Sequence, residues 1–177
     1  VGQVSGLKLY TNGVLVVGMS EIKGIDNQKY KPYENSGIEE GDRITKINNE
    51  EVTDTNTLIN IVNKSEGKNL EIEYVRNNEI KNCNITPIKY GDGSYKLGLW
   101  VRDSAAGIGT LTFYEPSTGN FAALGHGITD TDTGKLVEIQ NGEFLTTKIL
   151  SIIKGIKRKS GENPRNNRGW DNNWNYL

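Results

Sequence analysis

The apolar residues of this chain fall into short runs closed by Gly, Asn or Asp, a punctuation that suits strands joined by tight turns far better than long helices. The clearest example is Gly13-Val14-Leu15-Val16-Val17-Gly18, a continuous apolar run bounded by glycines and too short for a helix. A polar loop follows from Met19 to Tyr33. Arg43 to Ile47 then alternates so that Ile44 and Ile47 can face a core, and the Asn48-Asn49-Glu50-Glu51 stretch turns the chain. One helix is expected: Asp54 can cap a segment starting near Thr55, Leu58, Ile59, Ile61 and Val62 form its apolar stripe, and Ser65-Glu66-Gly67 ends it. Leu70 to Val75 and Ile80 to Ile88 read as a hairpin around Asn77-Asn78, which closes a first domain.

Beyond a turn at Tyr90-Gly91-Asp92-Gly93-Ser94 the texture changes to further strands and hairpins: Leu97 to Arg102, Gly107 to Tyr114, Phe121 to Gly127, and later runs over 135–140 and 143–153. The end of the chain, from about residue 163, is Asn-rich, polar and aperiodic, and is expected to be disordered on its own. The domain division read from the sequence is therefore 1–90, 91–164 and an aberrant tail over 165–177.

With 21 basic and 22 acidic residues, no global field draws the chain to nucleic acid or an anionic membrane. Six basic residues over 154–168 face only Glu162, but no aromatic platform accompanies them, so a nucleic-acid or lipid contact there is the weakest reading. A single cysteine, Cys83, and a single histidine, His126, exclude a disulfide framework and a Cys/His zinc site within one chain. No cofactor or metal is expected. No stretch reaches the roughly 20 apolar residues that span a bilayer, and Val1-Gly2-Gln3-Val4 is not a signal peptide.

Two resemblances organise these residues. Val4-Ser5-Gly6-Leu7 resembles the carboxylate-binding loop of PDZ domains, in which successive backbone N–H groups converge on a peptide terminus. Gly41-Asp42-Arg43-Ile44-Thr45-Lys46-Ile47-Asn48 resembles that family's Gly-Asp stretch, with the helix from Thr55 where PDZ domains keep their groove helix. The likeness covers about residues 3–89. It implies a small β-barrel with one main helix, peptide tails as partners, and Ser5, Gly6 and Leu7 as peptide-binding residues. Asp42 reads better as a turn residue than as a ligand contact.

Gly107 to Tyr114 followed by Ala123-Leu124-Gly125-His126 resembles the start of the peptidase domain of the stage IV sporulation protein B family, serine endopeptidases of endospore-forming bacteria. The likeness runs from about residue 97 to 155, and in that family a PDZ domain precedes the peptidase. It implies a chymotrypsin-like β-barrel, here incomplete, with His126 as the general base that takes the proton of a serine nucleophile. The family's aspartate and serine lie downstream. No Gly-x-Ser-x-Gly pattern occurs in the chain, and neither Asp130 nor Asp132 has a better reading than a solvated turn residue.

The expectation is thus a mainly β fragment of a sporulation serine endopeptidase, inactive as it stands, whose PDZ half recognises peptides. The alternative is a non-catalytic PDZ module with a passive β extension. By resemblance, the full-length protein would be exported to the space between the forespore membranes, held there by an N-terminal anchor that this chain does not contain.

Overall fold

The structure is a computed structural model that describes residues 3–124, 129, 134, 138–145 and 175–176. The elements in chain order are β1 (Gln3–Met19), β2 (Ile22–Lys23), β3 (Lys29–Tyr30), β4 (Arg43–Ile47), β5 (Glu50–Glu51), α1 (Thr55–Lys64), β6 (Leu70–Arg76) and β7 (Glu79–Ile85). They continue with β8 (Ile88–Lys89), β9 (Tyr95–Lys96), β10 (Leu99–Tyr114), β11 (Phe121–Leu124), β12 (Ile139–Leu145) and β13 (Asn175–Tyr176). The chain is mainly β, and α1 is the one helix among the described residues.

Two compact units divide these elements, and they do not follow chain order. One comprises residues 10–105, 127–141 and 174–177; the other comprises 1–9, 106–126 and 142–173. The turn at 90–94 forms, with Tyr90 N–H donating to Ser94 O and Gly93 N–H to Tyr90 O. It joins β8 to β9, and the chain beyond it stays in the larger unit as far as residue 105.

In the larger unit the strand order is β10-β1-β4-β6-β7, with β5 on β4 and β13 on β10. Asparagine sets the tight turns. Asn48 and Asn49 between β4 and β5, and Asn77 and Asn78 between β6 and β7, all have positive φ of 50–64°, the paired left-handed geometry of a hairpin turn that matches strand twist. The β6–β7 hairpin runs in unbroken register from Leu70↔Ile85 to Arg76↔Glu79. Gly13, at φ +95°, sits close against β4: a Cβ there would collide with the Ile44 carbonyl oxygen.

Helix α1 starts where the sequence places it. Asp54 is extended, and its carboxylate accepts from Thr57 N–H at 2.8 Å. That bond holds the Asp54 carboxyl below its ordinary pKa. A carboxyl depressed in the folded state stabilises the fold above its unfolded pKa, near 3.8, and the contribution disappears as pH falls through the lowered value. Asp54→Ala is expected to cost about 1 kcal/mol at neutral pH and less in acid, read from urea unfolding at the two pH values. At the other end, Glu66 and Gly67 take positive φ and stop the helix.

The core of this unit gathers Val14 and Val16 of β1, Ile44 and Ile47 of β4, Leu58, Ile61 and Val62 of α1, Leu70 and Ile72 of β6, and Cys83 and Ile85 of β7. Leu97, Leu99 and Val101 complete it, each with no exposed surface. Burial pushes the Cys83 thiol up to about 11, which makes it an inert packing residue.

The smaller unit contains the far halves of β1 and β10, with β11 and part of β12. Strand β11 pairs antiparallel with β10 from Thr110↔Leu124 to Tyr114↔Phe121, with a bulge between Leu111 and Phe113. Phe121 meets Phe144 edge to face at 4.4 Å, while Phe113, Tyr114 and Phe121 stay half exposed. The tail expected to be disordered includes β13, whose Asn175 and Tyr176 pair with Val101 and Trp100; the rest of that tail lies outside the described residues.

Candidate functional site

A buried ion pair anchors the larger unit. Gly41 N–H donates to Val16 O and Val16 N–H donates to Asp42 O, both at 2.8 Å, so the Gly-Asp turn is sewn onto β1 where β4 begins. The Asp42 side chain has no exposed surface. Its carboxylate accepts from Glu39 N–H at 2.7 Å and from Arg76 Nε and Nη2, each at 2.6 Å. Arg76 also donates to Gly37 O and lies over the Tyr74 ring, and the Asp42 carboxylate raises the pKa of the guanidinium. Asp42 is therefore a structural turn residue, as the sequence suggests, with a fully buried charge that the sequence does not reveal.

Ser5, Gly6 and Leu7 lie within β1 and not in a separate loop. Ser5 is 8% exposed, and Gly6 is not among the residues of positive φ. In an extended strand successive N–H groups point to opposite edges, so these three amides do not converge on one anion. The anion at the end of α1 is instead the Asp103 side chain: its Oδ2 accepts from Thr55 N–H at 2.9 Å, favoured by the positive end of the helix dipole. Asp103 escapes a motif search because nothing local marks it; its partner is 48 residues away.

Strand β10 pairs beside β1, and the segment containing it is hydrogen-bonded to both ends of α1. Ser20 N–H donates to Gly98 O at 2.9 Å, Trp100 Nε1 donates to Ser20 Oγ, and the Thr11 hydroxyl lies 3.1 Å from Asp103 O. Tyr95 N–H donates to Asn63 Oδ1 near the C-terminus of α1. His126, Asp130 and Asp132 lie outside the described residues, as does all of the basic stretch 154–168.

Strands packed beside one helix, with a Gly-Asp turn leading into β4, are the arrangement of the PDZ class, and residues 7–86 match the family described as PDZ domain. Residues 93–169 match the family described as SpoIVB peptidase S55. The chain thus has a SpoIVB-like architecture, a PDZ domain followed by an S55 peptidase segment. A protein of Lactococcus lactis, provisionally named a zinc metalloprotease, is 30% identical over 102 residues, which are 58% of this chain and 22% of that protein. The chain spans about a fifth of the length of that relative. The PDZ domain of the SdrC-like protein of Listeria monocytogenes is 20% identical, with a TM-score of 0.40 over 51% of this chain and 87% of that one.

The relative's zinc does not fit the residues here. One histidine and one cysteine cannot supply a Cys/His ligand set, and the described residues hold no cluster of three His, Cys, Asp or Glu side chains suited to a metal.

Proposed function

We propose that this chain is the PDZ-bearing front part of a serine endopeptidase that works in a sporulation checkpoint, with His126 as its general base. The observation that carries the reading is the S55 match over 93–169, which includes the Gly125-His126 pair. A serine hydroxyl becomes a competent nucleophile when a neutral imidazole takes its proton and returns it to the leaving amine. His126 would do this, with glycines on both sides leaving room for a substrate backbone. The nucleophile and the orienting carboxylate are not assigned, since no serine in residues 1–177 has the Gly-x-Ser-x-Gly setting. The PDZ domain recognises protein segments, in the protein's own chain or in a substrate, and the site of action is the space between the forespore membranes.

A second reading is a peptide-binding module with no catalytic role, carried by the PDZ match over 7–86. One pair of measurements separates them. The 177-residue chain incubated with casein and a serine-reactive phosphonate is expected to show neither cleavage nor labelling, and stoichiometric labelling would show that a nucleophile was overlooked. In a gene product that carries the family's serine, His126→Ala is expected to lower proteolysis by about 10⁴-fold or more. Unchanged proteolysis would remove the histidine from the mechanism and leave the binding module.

A further inference from the structure

The strand order β10-β1-β4-β6-β7 gives the sheet of the larger unit two flanks, and they are built differently. On one flank β7 carries Glu79, Lys81, Asn82 and Asn84, with Lys81 paired to Glu79 at 3.4 Å. Charged side chains along a flank discourage the addition of a further strand. On the other flank β10 opens with Leu99-Trp100-Val101 and carries no charge before Arg102, so its outer main-chain groups form an unguarded template. The template is held firmly. Tyr95 N–H on Asn63 Oδ1 and Asp103 Oδ2 on Thr55 N–H fasten its segment to both ends of α1. On the β1 side, Ser20 N–H donates to Gly98 O and Trp100 Nε1 to Ser20 Oγ. Gly98, at φ +77°, permits that approach, since a Cβ there would stand 2.8 Å from Ser20 O. With β1 along one edge of β10, the second edge at Trp100 and Val101 is taken by β13, antiparallel, with Tyr176 opposite Trp100 and Asn175 opposite Val101.

We propose that this outer edge of β10 is the strand-accepting edge of the PDZ unit, and that residues 175–176 hold it in cis as a competitor that an outside segment must displace. The proposal rests on the PDZ reading given above and names the own-chain segment that reading leaves open. Strand addition draws its affinity from main-chain hydrogen bonds, and the two paired residues of the occupant, Asn175 and Tyr176, carry no charge. The outside partner is accordingly an extended protein segment that is uncharged at the two paired positions. A segment of the same chain acts at a high effective concentration, so a short pairing suffices in cis where a free peptide needs a longer contact. Whatever draws residues 175–176 away opens the edge, and whatever takes the edge releases residues 175–176; the two events are one equilibrium. His126 and proteolysis do not enter.

The probe is a fluorescein-labelled peptide copying residues 170–177, titrated by fluorescence polarisation into the unaltered chain and into the full chain carrying Tyr176→Pro. Proline removes a main-chain donor and is excluded from a strand paired within a sheet. With residues 175–176 on the edge about nine-tenths of the time, their removal strengthens probe binding about tenfold. A probe that itself carries Tyr176→Pro should bind the variant chain more weakly than the parent probe does. Equal binding of the parent probe by the two chains overturns cis occupancy and leaves a peptide-binding PDZ unit; no loss with the proline probe overturns strand addition at this edge. Absence of binding to either chain at the highest soluble concentration overturns the proposal together with the PDZ reading. So that misfolding of the proline variant cannot decide the matter, a nitroxide is placed on the full chain carrying Leu177→Cys, with Cys83 buried away from the label. The amides of Leu99 to Arg102 are expected to broaden, and to recover when unlabelled peptide is added to saturation. Amides that stay sharp in the labelled chain, or stay broadened under saturating peptide, overturn the exchange.

Discussion

Asp42→Ala is expected to destabilise the PDZ unit by about 3–5 kcal/mol, as is usual when one partner of a buried ion pair is removed. Alanine at this position orphans three donors at once: the Glu39 amide and both the Nε and Nη2 groups of Arg76. The guanidinium can recover part of the loss, because the Arg76 side chain is 19% exposed and retains Gly37 O and the Glu39 carboxylate. That places the result toward the lower end of the range. Geometry also matters, since the same aspartate's backbone receives Val16 N–H, so a shifted turn loosens the β1–β4 junction as well. The contrast is the Lys29–Glu21 pair, equally short at 2.8 Å but with side chains 74% and 46% exposed; breaking it should cost no more than about 1 kcal/mol. Urea unfolding gives both numbers. A loss below about 1 kcal/mol for Asp42→Ala, with the slope against urea unchanged, would mean that the buried pair contributes no more than a surface one.

Leu99→Ala is expected to cost about 2–5 kcal/mol, the range for a buried leucine that leaves a cavity. The size of the effect bears on domain organisation. Leu99 lies outside the stretch matched as a PDZ domain, 7–86, yet it has no exposed surface and packs in the PDZ core. If the core ended with β7, truncating Leu99 would leave the β6–β7 hairpin untouched. With β10 as part of the core, amide exchange at Ile72 and Cys83 should accelerate together with global unfolding. Phe113, on the same strand but 56% exposed, is the control: Phe113→Ala should stay within about 0.5 kcal/mol. A Leu99→Ala protein as stable as that control would show that the first unit stands without β10.

Much of the fold is legible in the sequence because its signals are local. A turn with two left-handed residues needs Asn or Gly, and Asn77-Asn78 stands where the β6–β7 hairpin reverses. A helix start needs an acceptor for its free amides, and Asp54 stands one residue before Thr55. The buried face of β6 follows from alternation along its seven residues, whereas in β4 a register shift between Ile44 and Lys46 lets Ile44 and Ile47 both be buried. The family likeness rests on the same kind of information, short motifs at fixed spacing, which is how the Gly125-His126 pair can be singled out although it lies outside the described residues.

The sequence by itself thus determined the mainly β class, helix α1 with its cap, the hairpin turns and the PDZ-then-peptidase order. The tertiary structure decided which later strand joins the first unit and which charges are buried. Leu97, Leu99 and Val101 read from sequence as any half-buried strand; only the tertiary structure shows that they are fully buried in one cluster with residues of β1 and α1. Ser5, Gly6 and Leu7 carry a loop-like motif, and pairing within a 17-residue strand overrides it. Asp42 and Arg76 are 34 residues apart, Thr55 and Asp103 48, and Ser20 and Trp100 80. Periodicity and turn chemistry act over a few residues, so pairings at such separations are set by which sheet edge and which helix end remain unsatisfied once the local elements have formed.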